Sequence, residues 1–297
     1  MLNKIRPYMM PVAMLSGILF YPLFTRFSHL TPYLLFAMLF LTYLNASFKS
    51  IRITRLHIYL ILIQIIGSIA VYFLLQPFNG LVAQATMVCV LCPTATSAPV
   101  ITRMLKGNVE SLITYSLLCN MTVALFAPLF FSWIGSHAEL SFFDSFIHIG
   151  KQVAVILILP LVLALLCRRI FGNASGKAVL FSNISFVLWS VALIIVTAKV
   201  VDFILAQDSN NFATECIIAV CSLIICILQF LTGRKLGRKF NDTIAGGQGL
   251  GQKNTILAIW MAQTYLNPIA SLGPGAYVLW QNIVNSYQVW RKRKNLD

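Results

Sequence analysis

Carboxylates are missing from the interior of every apolar run of this chain. All eight acidic residues, Glu110, Glu139, Asp144, Asp202, Asp208, Glu215, Asp242 and Asp297, fall in connecting segments or at the edges of those runs. A membrane-embedded hydrolase or prenyl-transfer enzyme resting on paired carboxylates or a metal-ligand cluster has nothing to build on. A carboxylate proton relay is equally out of reach. Charge of either sign is scarce: 10% of the 297 residues are charged against 59% hydrophobic, with a mean hydropathy of +0.82. A soluble domain carries roughly 25% charged residues. Period-two alternation over roughly ten-residue stretches is also lacking, which argues against an outer-membrane barrel. No soluble domain, low-complexity run or tether-like linker is visible.

The seven cysteines, Cys89, Cys92, Cys119, Cys167, Cys216, Cys221 and Cys226, lie almost wholly inside apolar runs, where they read as small, soft packing residues. Cys89-x-x-Cys92 has redox or metal spacing, but no second Cys/His pair accompanies it. His29, His57, His137 and His148 sit near the ends of apolar runs, where solvated or headgroup-facing roles are the default. Lys4 and Arg6 precede the first run in the manner of a signal peptide, yet no small-x-small cleavage site follows, so a retained first helix is expected.

What is present is a series of apolar runs near the length of a bilayer crossing. Ten are read: Tyr8–Phe24, Pro32–Phe48, Leu56–Leu75, Leu81–Lys106, Ser111–Ile134, Val153–Phe171, Ala178–Val201, Phe212–Leu231, Thr243–Leu266 and Leu272–Trp290. The net charge of +14 does not point to nucleic acid, because the basic residues occupy the short connections between runs. Assigning those connections to alternate sides puts eighteen of the 22 basic residues on one side and only Arg26, Lys151 and Lys199 on the other. By the positive-inside rule this predicts a multi-pass protein of the inner, or plasma, membrane with N- and C-termini cytoplasmic. Five crossings per half is an odd number, so the halves 1–137 and 138–297 enter from opposite faces, as inverted-topology repeats do. The expected fold is an all-α polytopic membrane protein of ten transmembrane helices in two inverted five-helix repeats, one transporter unit over 1–297. Phe142, Phe143, Phe146 and Ile147 have helical spacing and predict a short interfacial helix between the halves.

The fourth run of each half is broken. The first break is Cys92-Pro93-Thr94-Ala95-Thr96-Ser97-Ala98-Pro99; the second opens with Gly246-Gly247-Gln248-Gly249-Leu250-Gly251-Gln252-Lys253-Asn254. Proline and glycine keep a helix from completing its own hydrogen bonds, and in hydrocarbon the freed groups need protein or a water-filled cavity. Interrupted segments in matching places of two halves point to a transporter's binding site. Lys253 is the one ionisable residue placed deep in a run, at a cost of roughly 2.5–3.5 kcal/mol on insertion scales. It reads either as a pin for the unwound backbone or as part of substrate or ion coupling. Half-helix N-termini beside it favour an anion, with contacts from Thr94, Thr96, Ser97, Gln252, Asn254 and Thr255; for the hydroxyls, helix capping is the competing role. Gln64 and Asn120 lie in other runs, and Asn282 and Asn285 share a face of the last, where helix–helix hydrogen bonding is the alternative.

These breaks resemble those of the bile acid:sodium symporter family, within the wider bile/arsenite/riboflavin transporter superfamily, and the likeness spans most of the chain. Cys92 to Ile101 with Lys106-Gly107-Asn108 resembles the family's Pro-Gly-Gly-Thr-Ala-Ser-Asn-Val-Ile and Lys-Gly-Asp. Gly249-Leu250-Gly251-Gln252-Lys253-Asn254, Pro274-Gly275-Ala276 and Trp280-Gln281-Asn282 resemble Glu-x-Gly-x-Gln-Asn, Pro-Gly-Ala and Trp-His-Asn. The resemblance implies that the fourth and ninth helices, both broken, cross in a core domain, while the first two spans of each half form a panel domain. It also implies sodium-coupled uptake of organic anions by alternating access. The departures are equally specific. Gly249 stands at the sodium-binding glutamate, Lys253 at the glutamine, Ala98-Pro99 at a Ser-Asn pair, and Ala124 near a hydroxyl position. Hard cations need oxygen ligands, so both sodium sites look dismantled.

The sequence thus predicts a secondary transporter of a small organic anion in a lipid bilayer. It is expected to be sodium-independent, with Lys253 in place of the ion, and either proton-coupled or facilitative, since a buried lysine can exchange its proton. No enzyme activity, cofactor or nucleic-acid partner is expected. A non-transporting receptor or scaffold on the same fold and an exporter of a small inorganic oxyanion stand as alternatives.

Overall fold

The computed structural model describes residues 2–45, 51–135, 141–171, 178–205 and 212–294. Lys49, His137, Glu139, Lys177, Asp208 and Asp297 lie outside the described residues. In chain order the helices are α1 (Leu2–Leu19), α2 (Tyr21–Phe24), α3 (Thr31–Asn45), α4 (Arg55–Leu75), α5 (Gly80–Leu91), α6 (Ala98–Met104) and α7 (Val109–Ile134). They continue with α8 (Phe142–Leu157), α9 (Leu159–Phe171), α10 (Ala178–Leu205), α11 (Phe212–Lys239), α12 (Thr243–Gly251), α13 (Thr255–Tyr265) and α14 (Leu272–Arg293). Short 3₁₀ turns fill Thr25–Leu30 and Pro268–Ser271. Among the described residues there is no β-strand beyond one isolated bridge, Thr94 to Lys253.

Asparagine and threonine set many of the starts. Asn79 accepts from the Leu81 and Val82 N–H groups ahead of α5, Asn108 from Ser111 N–H ahead of α7, and Asn254 from Leu257 N–H ahead of α13. Each satisfies a donor the helix cannot. Thr54 and His57 form a capping box at α4. By length and composition, six stretches are apolar and long enough to cross a membrane: Tyr21–Leu44, Arg55–Leu75, Val109–Ile134, Phe142–Ile170, Asn183–Leu205 and Phe212–Lys239. The two interrupted runs fall short because their breaks leave pairs of half-helices. The separate interfacial helix expected at Phe142 is not seen. α8 carries straight on from Phe142 to Leu157, because nothing before Pro160 interrupts its hydrogen bonds, and the turn at Ile158 is where that proline takes effect.

The chain divides into two units. One comprises 1–46 and 151–210 and so holds the first two apolar runs of each half, the four spans that the resemblance assigns to a panel. In it α10 packs along α1 and α3. Gly17 permits the α1–α10 approach: a Cβ there would sit 2.7 Å from the Ile194 carbonyl oxygen and 2.9 Å from Thr197 Cβ.

The other unit comprises 47–150 and 211–297. It contains both interrupted runs. α5 lies among α4, α11 and α14, and α12 folds back along α11 as a tight hairpin. The hairpin is made by glycine on both sides. A Cβ on Gly246 would meet the Gly233 carbonyl oxygen at 2.5 Å and Gly237 Cα at 3.0 Å, so the two backbones touch. Asn241 turns the chain between them in the left-handed region, φ 56°, which asparagine tolerates better than most residues. Around the end of α5 a buried apolar cluster of Cys89, Val90, Ile225, Cys226, Phe230 and Tyr277 closes the interior.

Candidate functional site

The two breaks meet. Pro93 and Pro99 deny the chain a continuous helix from α5 to α6, and the backbone of residues 92–97 is left to find partners elsewhere. It finds them in the second break. Ala95 N–H donates to the Gln252 carbonyl at 2.9 Å, and Asn254 N–H donates to the Pro93 carbonyl at 2.8 Å. The side chains at the centre of this contact, Thr94 and Lys253, repeat the exchange. Thr94 Oγ1 donates to the carbonyl of Gly249, four residues before Lys253, at 2.8 Å. Lys253 Nζ donates to the carbonyl of Val90, four residues before Thr94, at 2.9 Å. Each thus caps the C-terminal end of the other half-helix, where carbonyls are orphaned.

Lys253 is 1% exposed, which excludes a surface position. Its ammonium lies at the negative end of the α5 dipole. Its backbone is clamped as well: Gln281 Oε1 accepts from Lys253 N–H at 2.8 Å and Gln281 Nε2 donates to the Lys253 carbonyl at 3.2 Å. Several other carbonyls at the crossing have protein donors too. Gln64 Nε2 donates to the Leu91 carbonyl at 2.5 Å and the Cys92 carbonyl at 3.1 Å. Gln229 Nε2 donates to the Cys89 carbonyl, Tyr277 Oη to that of Gly251, and Cys92 Sγ to that of Asn254. Gln64 is itself oriented by Tyr115 Oη at 2.9 Å and Cys119 Sγ at 3.0 Å, both donating to its Oε1. Cys92 of the C-x-x-C pair therefore serves as a buried donor, and among the described residues no group of three or more His, Cys, Asp or Glu is placed to hold a metal ion.

Gly249, the position matched to the family's glutamate, has no room for a side chain. A Cβ there would lie 2.7 Å from Cδ1 of the Tyr115 ring. Gln252 is buried and donates from Nε2 to Ser97 Oγ at 3.0 Å, while Ser97 itself is exposed. Asn254 caps α13 and is buried with its Nδ2 unpartnered; Thr255 is buried as the first residue of that helix. Thr96 is half-buried within the first break.

Two of the expected residues are not drawn into hydrogen bonds at the crossing. Asn120 Nδ2 donates to the Ser116 carbonyl at 2.9 Å and Asn282 Nδ2 to the Val278 carbonyl at 2.6 Å, each one turn back on its own helix. In each the amide N–H is used within its own helix, while Asn120 Oδ1 stays buried without a hydrogen-bond partner. His57 also departs from expectation. It is buried, its Nδ1 accepting from Thr54 N–H at 3.2 Å and its Nε2 bonded to Ser111 Oγ at 2.9 Å, so it belongs to the frame that holds α4 against α7 rather than to solvent. Sequence reasoning overlooked Gln229, Tyr115 and Tyr277. The available signal was an amide or phenol inside an apolar run, the same signal that picked out Gln64.

A family model described as the SBF-like CPA transporter family matches residues 43–281, an interval that holds both breaks, Lys253 and most of the chain. That family is of the bile acid:sodium symporter type, in agreement with the resemblance read from the two breaks. No curated protein matches the chain.

Proposed function

The chain belongs to the SBF-like CPA transporter family and is a multi-pass membrane transporter, and we propose that it moves a small organic anion by alternating access without sodium, the Lys253 ammonium serving as a tethered cation. The observation that carries this reading is the Lys253 Nζ bond to the Val90 carbonyl inside the crossing. A sodium ion bound by freed carbonyls would need those oxygens, and here they are engaged by Lys253, Gln64, Gln229 and Tyr277. The space of a carboxylate at Gly249 is taken by the Tyr115 ring. The N-terminus of α13 opens at Asn254, directly after Lys253, and its positive dipole end favours an anion; Asn254, Thr255, Thr96, Ser97 and Gln252 supply amide and hydroxyl groups around the crossing. In this reading the ten segments are ten spans, 1–137 and 138–297 are inverted repeats, and the side rich in lysine and arginine is the cytoplasm. Protons are the coupling ion to test, with uncoupled facilitation as the other outcome.

The test is uptake of radiolabelled cholate and malate into proteoliposomes under an inward sodium gradient, an inward choline gradient and a proton gradient. Uptake of one or both probes at equal rates in sodium and choline is expected. A rate that rises tenfold or more with sodium alone would overturn the reading.

A further inference from the structure

We propose that the core unit carries a subsite for a carboxylate bearing a neighbouring hydroxyl or amino group, built by Arg234, Gln248, Asn285 and Gln288. The proposal rests on the anion-transport reading and adds a substrate class to it. Arg234, near the end of α11, lays its methylene stem across Gly247 of α12; a Cβ on Gly247 would lie 2.5 Å from Arg234 Cγ. The absence of a side chain at that position seats the guanidinium beside the polar face of α12. Arg234 Nη1 donates to Gln288 Oε1 at 3.2 Å. Gln248 Nε2 donates to the same oxygen at 3.3 Å and to Asn285 Oδ1 at 3.0 Å.

The amides of this row are only half used. Gln248 is 1% exposed and Asn285 4% exposed, yet Gln248 Oε1 and Asn285 Nδ2 have no hydrogen-bond partner. One turn along α12 the buried Gln252 bonds Ser97 through Nε2 and leaves its Oε1 unpartnered as well. A buried polar group without a partner is destabilising, and native folds keep few of them. Others lie elsewhere in the protein, but these three stand along one stretch, with a cation at one end and the crossing at the other, where a single solute could partner them. The spare groups on the Gln248–Asn285 pair are one acceptor and one donor. The shared Gln288 Oε1, which also accepts from Arg234, fixes Gln248 with its Nε2 on this side. A 2-hydroxy- or 2-aminocarboxylate matches it: its O–H or N–H donates to one amide, an oxygen accepts from the other, and its carboxylate meets the forked donors of the guanidinium. A carboxylate on an apolar body would leave the amides unmatched, which is how buried polar groups reject a ligand.

Binding to the purified protein, read by tryptophan fluorescence and thermal shift, tests this with malate against succinate, lactate against propionate, and cholate. The hydroxylated member of each pair is expected to bind about tenfold more tightly, the order of discrimination a single matched hydroxyl gives. Gln248→Met and Asn285→Leu should each bring the malate-to-succinate ratio towards one while succinate binding persists, and Arg234→Gln should weaken both members of a pair. Equal affinities within both pairs in the wild-type protein overturn the proposal, whatever the variants do. Cholate binding without any hydroxyl preference overturns this subsite alone. Silence towards every probe, cholate included, overturns the anion reading beneath it as well.

Discussion

At the scale of single residues, the crossing turns on two side chains of unlike chemistry doing one job. Thr94 and Lys253 each reach the carbonyl four residues before the other. Only the second brings a full charge, so the site is cationic by design of one position. The burial of Lys253 was legible in the sequence, because glycine and polar neighbours surround it in an otherwise apolar run. Its partner was not, since no spacing rule links Lys253 to Val90 across 163 positions. For Asn120 and Asn282 the sequence left two roles open, and in this structure each amide N–H turns to the carbonyl one turn back on its own helix. Lys253→Gln should leave a protein that still elutes as a folded species and should lower anion uptake tenfold or more. A lysine acting only as a pin predicts poor folding instead, and gel filtration alongside the uptake assay separates the two. Gly249→Glu should not install sodium dependence, because the Tyr115 ring occupies the carboxylate's space; uptake of the same probes in sodium and choline checks it.

At the scale of elements, α11 and α12 act as one piece. Gly233, Gly237 and Gly246 bring the two backbones into contact, and no flexible side chain stands between them to yield. Gly246→Ala forces a Cβ to within 2.5 Å of a carbonyl oxygen. An overpacked contact of this kind costs about 1–3 kcal/mol, so a lowered melting temperature in detergent is expected. The start of α12 adds a pH dependence. Burial pushes the Asp242 carboxyl above its usual range, and hydrogen bonds from Ser111 and the Ala245 N–H only partly offset that. A carboxyl raised in the folded state favours folding at low pH, and that contribution is lost as pH rises through its folded value. Asp242→Asn should flatten this limb of the melting temperature against pH. Both interrupted segments were readable in advance because proline and glycine signal a break directly. The run from Phe142 into α8 was not: an amphipathic start followed by an apolar stretch looks like two helices, and only continuous hydrogen bonding joins them.

At the scale of the whole molecule, the chain sorts its apolar runs by place within each half. The first two of each half form one unit, and the third to fifth, with both breaks, form the other. Alternation of basic residues fixed the expected topology, while the grouping into units came from the resemblance and is now visible in the contacts. On the proposed reading the Lys253 ammonium fills the place of an alkali cation in the crossing, and equilibrium binding of radioactive sodium to the purified protein puts that to the test. No saturable sodium binding is expected in the wild-type protein; one sodium bound per chain, displaced by unlabelled sodium, would overturn the reading.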